Sequence, residues 1–247
     1  DKEIKNQLEP FVEGDRDTLK RVDKAISNFN ERNSSKKVLS KAKEEFMGWN
    51  HKGWEGLGAF DSKERKLAND LLGFKGHIVF PTSAFDQVIA AKSDEVVMGG
   101  INALNRGMAA FCSVDSRMHG AAYIPFQFGA EIALEYLQDA IKNNFSVILI
   151  DTIPPSGGKS FTHPDYDIVW KEIEDLDIAI TLHVGVDGSW DPVPLPFYNN
   201  GGSVPEHKEG DAPRDALAYM GIAYNAEIFL AAMIFDGVFN RFPKLRV

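Results

Sequence analysis

Residues 146–185, SVILIDTIPPSGGKSFTHPDYDIVWKEIEDLDIAITLHVG, decide the fold. The runs Val147–Ile150 and Ile178–Leu182 are short, apolar at consecutive positions and rich in β-branched residues. That pattern suits strands buried on both faces. Between them, Pro164 fits the first turn of a helix, where its missing N–H leaves no bond unmade. Val169, Ile173 and Leu176 follow at i, i+4 and i+7 and give that helix one apolar face. Strand, helix and strand in about forty residues make a βαβ unit, which requires parallel strands and a right-handed crossover. The second strand ends at His183, which small residues follow at once.

Working outward, the same alternation continues upstream. Asp61 followed by Glu64 is a variant capping box for a helix over Ser62–Leu72, and Gly73 is its stop signal. HIVFPT (77–82) is a buried strand ended by Pro81, and GAAYIPFQ (120–127) is another. Met98, Ile101, Leu104 and Met108 place a core-facing helix over Glu95–Phe111. Ile132, Tyr136, Leu137 and Ile141 do so for Ala130–Lys142, with Asn143–Asn144 as the break. Residues 1–60 form a peripheral helical segment, with Leu19, Val22, Ile26 and Phe29 on one amphipathic helix and Val38, Ala42 and Phe46 on a second. Asn50–Phe60 is an aromatic, glycine-rich loop.

Downstream of His183 the texture changes. Residues 185–215 are rich in glycine and proline yet carry Trp190, Phe197 and Tyr198, which predicts a long functional loop. A final helix over Arg214–Phe235 leads to a strand at 243–247. The strand candidates are therefore 77–82, 120–126, 146–151, 178–183 and 243–247. Alternating βα units fit an open doubly wound sheet or a (β/α)8 barrel. There is no GxGxxG after the first strand and no Walker lysine motif. The polar residues cluster where strands end, which favours the barrel. Residues 61–247 are read as part of one such barrel domain, with 185–215 a loop over its mouth.

Twenty-seven basic residues stand against 36 acidic ones, a net charge of −9, and no basic patch stands out. Nucleic acid and anionic membrane surfaces are therefore not the expected partners. A single cysteine, Cys112, excludes an internal disulfide and points to a reducing, cytoplasmic setting. No apolar run approaches the length of a membrane span, and no signal-peptide pattern opens the chain.

In a (β/α)8 barrel the loops after the strands build the site. The residues there are Thr82 and Ser83, Gln127, Asp151 and Thr152, and His183, with His163 on the loop after the third strand. A histidine closing a buried strand suits a divalent metal. On spacing alone it is equally a core histidine bonded to a backbone carbonyl. Asp151 reads as a base or a partner to a neighbouring ligand, or as a helix cap. His163, next to Pro164, reads as catalytic or as the residue that opens a helix. Trp190 would wall a substrate or pack in the core. His77 begins its strand and belongs to the stability face. His51, His119 and His207 read as loop histidines. Cys112 has no histidine at motif spacing, and no GxSxG elbow is present.

LLGFKGHIVFPT (71–82), SRMHGAAYIPFQ (116–127), HPDYDIVWKEIEDLDIAITLHVG (163–185) and GVFNRFPKLRV (237–247), in that order and spacing, resemble the amidohydrolase-related family. This is the amidohydrolase-superfamily branch that includes aminocarboxymuconate-semialdehyde-type decarboxylases, and the resemblance covers roughly residues 40–247. It implies a (β/α)8 barrel with a divalent metal, zinc or manganese, at its C-terminal mouth. It also implies that His183 is the metal ligand closing the fifth strand. The family's first-strand His-X-His pair has no counterpart here, and its later ligands fall beyond Val247. The chain is thus expected to be an internal piece of a longer barrel, one that does not close by itself because its edges stay unpaired.

The resulting expectation is a metal-dependent hydrolase using a metal-activated water on a small carbonyl-containing substrate. Its metal ligand is His183, its catalytic residues Asp151 and His163, and its substrate contacts Thr82, Gln127 and Trp190. A homo-oligomer is expected at family level. A decarboxylase on the same barrel and a non-catalytic barrel-derived binding protein are the alternatives. A decarboxylase would want a basic pocket residue, and sequence does not place Arg106, Arg117 or Arg214 there.

Overall fold

The computed structural model describes residues 16–47, 56–152, 155–183 and 223–247, apart from 82, 90 and 92. The chain divides into two compact units, Asp1–Ala121 and Ala122–Val247.

The first unit opens with helices α1 (Arg16–Arg32), α2 (Lys36–Met47) and α3 (Ser62–Leu72). The two N-terminal helices form as their spacing predicts, but α1 is more than a surface helix. Its Val22 and Ala25 form a small core with Phe60, flanked by Ile26 and Phe29. Helix α3 has the predicted ends. The Asp61 carboxylate accepts from the Lys63 and Glu64 amides, and Gly73 closes the helix in the left-handed region at φ 68°. The other half of the capping box is absent, because Glu64 does not turn back to Asp61. Its carboxylate accepts instead from Arg32 Nε (3.2 Å) and Nη2 (2.9 Å), Asn33 Nδ2 (2.8 Å) and the Gly58 amide (3.3 Å). Burial explains the choice: the side chain is only 4% exposed, so both oxygens need donors.

Strand β1 (His77–Val79) follows, then α4 (Ser83–Ile89), α5 (Asp94–Cys112) and β2 (Met118–Tyr123). Strand β1 is shorter than expected, and the helix at 83–89 had no counterpart in the periodicity reading. His119 lies within β2 rather than in a loop, on the exposed side of that strand. In α5, Ile101, Leu104 and Met108 are buried as predicted. Strands β1 and β2 are parallel, with His77 opposite Met118 and Val79 opposite Gly120.

The second unit takes up the end of β2 and continues with α6 (Ala130–Lys142), β3 (Val147–Ile150), α7 (Asp167–Asp175) and β4 (Ala179–Leu182). Helix α6 has the predicted bounds. Asn144 (φ 63°) and Asp177 (φ 52°) make the left-handed turns into β3 and β4, conformations that short polar side chains tolerate. A single 3-10 turn, Pro164–Tyr166, starts the crossover helix, so Pro164 stands where the sequence puts it. The apolar face of α7 is Val169, Trp170 and Ile173, all fully buried; Leu176 lies past the helix and is exposed. All four residues of β3 are buried. Strand β3 pairs in parallel with β4 from Val147–Ala179 to Ile150–Leu182, and the Ile124 amide donates to Leu149 O at 3.0 Å. Strand order follows chain order.

The chain ends with α8 (Tyr224–Phe235) and α9 (Val238–Arg241). The strand expected at 243–247 is reduced to one parallel bridge, Ala179 to Arg246, with the Ile180 amide donating to Arg246 O at 2.8 Å. Arg241 ties this segment to the crossover, reaching Asp167 Oδ1, Asp236 O and Thr162 O at 3.0 Å each. Among the described residues no helix is long and apolar enough to cross a membrane.

The observed fold is therefore mixed α/β with a parallel sheet of four strands in chain order. The loop at 185–215 lies outside the described residues.

Candidate functional site at the strand ends

Parallel strands deliver their following residues to one end of the sheet, and in the second unit that end gathers polar groups. Tyr123 is the last residue of β2, Gln127 sits in the 3-10 turn just after it, and Asp151 immediately follows β3. Tyr123 and Asp151 are almost completely buried, and Gln127 is half-buried. The Tyr123 hydroxyl donates to Asp151 Oδ2, and Gln127 Nε2 donates to the Tyr123 oxygen at 2.9 Å. A phenol has one proton, and an ionised carboxylate is the stronger acceptor. The proton therefore goes to Asp151, and Gln127 turns its NH2 toward the phenolic oxygen, although its Oε1 is also within 3.2 Å.

The phenol is held in that donor role. Burial pushes its pKa well above the ordinary tyrosine value, and the adjacent Asp151 charge and hydrogen bond push it further the same way. Sequence reasoning singled out Asp151 and Gln127 but missed Tyr123. The signal was present: a tyrosine inside a strand buried on both faces must bring its hydroxyl to a polar partner.

His183 immediately follows β4 and is half-buried. The ladder pairs Ile150 with Leu182, so Asp151 and His183 occupy the next position of adjacent strands. Thr181 Oγ1 donates to Ile148 O at 2.7 Å and fastens the two strands just before that point. Beside Asp151, the Thr152 hydroxyl oxygen is buried with no hydrogen-bond partner among the described residues. The Asp151 carboxylate is engaged by Tyr123.

His163 is not brought to this group by any contact among the described residues. It stands before the 3-10 turn, where its Nδ1 accepts from the Asp165 amide at 3.2 Å. Thr82 and Trp190 lie outside the described residues, and so do His51 and His207.

A catalytic metal centre needs about three protein ligands and an open position. Among the described residues no group of three or more His, Cys, Asp or Glu side chains is gathered closely enough to hold one. His183 and Asp151 come from adjacent strand ends, but Asp151 already serves as the acceptor for Tyr123. The described residues do not make a metal centre by themselves.

No protein-family model matches the sequence, and no curated protein matches it. Solved structures do match. One is the crystal structure of an amidohydrolase from Mycobacterium avium subsp. paratuberculosis K-10, with a TM-score of 0.57 and 20% sequence identity. The match covers 75% of this chain and 46% of that one, so the chain spans less than half the length of that protein. At this identity the likeness is one of fold: the parallel α/β arrangement that places Tyr123, Asp151 and His183 at strand ends is similar to that of an amidohydrolase.

Proposed function

We propose that this chain belongs to a metal-dependent hydrolase built on a (β/α)8 barrel, acting on a small carbonyl-containing substrate. The observation that carries the reading is the gathering of Tyr123, Gln127, Asp151 and His183 at the C-terminal ends of three successive parallel strands. In barrels of this architecture that end is where chemistry is done. The fold likeness to an amidohydrolase supports the same class.

In this reading His183 is one ligand of a zinc or manganese ion, with further ligands outside the described residues. Asp151 is the carboxylate of the mouth, and Thr82, Gln127 and Trp190 contact the substrate. The setting is cytoplasmic and reducing, consistent with one cysteine in 247 residues. The net charge of −9 argues against nucleic acid as the partner.

The test is the metal content of the native protein by elemental mass spectrometry, beside a His183→Ala variant. Near-stoichiometric zinc or manganese that falls sharply in the variant is expected, and it would direct a screen of amide and carboxylated substrates. The screen separates hydrolysis from decarboxylation. No metal in either sample would overturn both enzyme readings and leave a barrel-derived binding protein.

A further inference from the structure

We propose that His77 and Arg65 form an acid-released latch that holds the turn at residues 56–60, and through it helix α1, on the first unit. Arg65 projects from α3, and its Nη1 stands 3.5 Å from His77 Nε2 at the start of β1. A guanidinium only donates, so His77 Nε2 accepts and the ring proton sits on Nδ1. Nδ1 is buried and has no hydrogen-bond partner among the described residues. The imidazole is therefore neutral in the closed form. The one position left for a second proton is the nitrogen that faces Arg65.

What the latch holds is the turn. Arg65 Nε donates to Gly58 O at 2.6 Å, and the Gly58 amide donates to Glu64 Oε2 at 3.3 Å. Gly58 is thus gripped at its C=O and its N–H by successive residues of α3. The fit is close, since a Cβ at Gly58 would lie 2.6 Å from Arg65 Cα. The turn carries Leu57 and Phe60 inward, and Phe60 packs with Val22 and Ala25 of α1. A proton on His77 Nε2 removes the acceptor for Arg65 Nη1 and sets two cations against each other. The guanidinium relieves this by swinging away, which takes its Nε off Gly58 O.

The neighbours of His77 do not absorb the new charge. Around it stand the Phe74 ring, Asp115 and Arg117 just before β2, and His119 on β2. Asp115 is the one acid among them, and Arg117 already holds it, with Nε at 3.0 and 3.1 Å and Nη2 at 2.5 Å from its oxygens. Its pull on a His77 proton is weaker than the push of Arg65, and Arg117 and His119 push in the same sense as Arg65. Cys112 faces Arg65 from α5 and stays neutral, because burial pushes its thiol up to about 12. The closed latch therefore resists a proton that an opened His77 accepts near its ordinary value of 6.5. Acid favours the open form.

The experiment is amide hydrogen exchange followed by NMR on the full 247-residue chain at pH 7.5 and 5.5, with each rate divided by that of an unstructured chain at the same pH. Crossing an ordinary histidine pKa by one unit on each side raises the open fraction by up to about tenfold. Protection of the Gly58, Ala59, Val22 and Ala25 amides is expected to fall about three- to tenfold at pH 5.5, while Leu104, inside α5, keeps its protection. His77→Gln offers an amide oxygen to Arg65 and takes no proton, so its response to pH should vanish. Arg65→Met leaves His77 no cation to meet, and the turn should be poorly protected to the same degree at both pH values. His119→Gln should respond as wild type does. If His77→Gln does not fold, Arg65→Met decides. No response in wild type, a response that persists in His77→Gln or Arg65→Met, one that Leu104 shares in full, or one that spares Val22 and Ala25 would overturn the proposal.

Discussion

Replacing Glu64 by alanine should unfold the first unit's helical corner more readily than any surface substitution. The Glu64 side chain is 4% exposed and that of Arg32 12% exposed, with 2.9 Å between Nη2 and Oε2. Two of the four donors that converge on the Glu64 carboxylate come from Arg32, and the others are Asn33 and the Gly58 amide. Alanine removes the acceptor for all four at once and leaves a guanidinium inside without its carboxylate. Breaking a buried pair this way costs about 3–5 kcal/mol, whereas an exposed pair is worth about 0–1 kcal/mol. Urea unfolding followed by far-UV circular dichroism measures the difference. Glu64→Gln keeps one carbonyl acceptor and should fall between wild type and alanine. The double replacement Glu64→Leu with Arg32→Met removes both charges and should recover most of the loss, because the desolvation penalty disappears with them. A Glu64→Ala loss under about 1 kcal/mol would mean that the pair behaves as a surface pair, and the account of α1 held onto α3 through Glu64 would be wrong.

Three further outcomes follow from the first unit. His77 is held below its ordinary value of 6.5 by burial first, then by Arg65, with His119 and Arg117 adding to this and Asp115 opposing it. Below that pH the unfolded chain binds more protons than the folded one, so stability should be full above about pH 6.5 and decline as pH falls through it. His77→Gln should flatten that part of the curve, and an unchanged slope would refute the assignment. Burial pushes the Cys112 thiol up to about 12, so iodoacetamide at pH 7.5 should leave the native chain unlabelled for hours and label it at once in urea. Gly58→Ala should destabilise far more than Gly73→Ala. Both have positive φ, but a Cβ at Gly58 would stand 2.6 Å from the Arg65 Cα, whereas at Gly73 it meets nothing within 4 Å. Equal losses in urea midpoint would refute the clash.

Periodicity carried the elements whose burial is one-sided and local. Helix α6 runs over Ala130–Lys142 as read, and α3 over Ser62–Leu72, because both have a stripe of apolar residues and residues that stop the helix. What was lost depended on tertiary context. Ser83–Ile89 is helical although it is only seven residues long, too short for a period to declare itself. Residues 243–247 look like a strand, but only Arg246 makes a ladder contact. Glu64 has the spacing of a capping box and yet serves Arg32, because a buried carboxylate goes to the strongest available donor rather than to the nearest backbone amide.

The site shows the same division more sharply. Asp151, Gln127 and His183 are legible because a parallel α/β pattern says in advance where strand ends go, and polar residues there contrast with the apolar runs before them. Tyr123 breaks no pattern: an aromatic residue in a buried strand is what packing alone would select. Its role emerges only when β2 and β3 are neighbours, because the partner of its hydroxyl lies 28 residues away on another strand. Burial then makes the contact consequential. In water a phenol and a carboxylate gain little from each other, but with both groups desolvated each requires the other. A buried tyrosine at the end of a parallel strand, one strand away from a buried aspartate at the next end, is therefore a pairing to seek as soon as strand order is known. Here it engages the one carboxylate that the sequence singled out at a strand end.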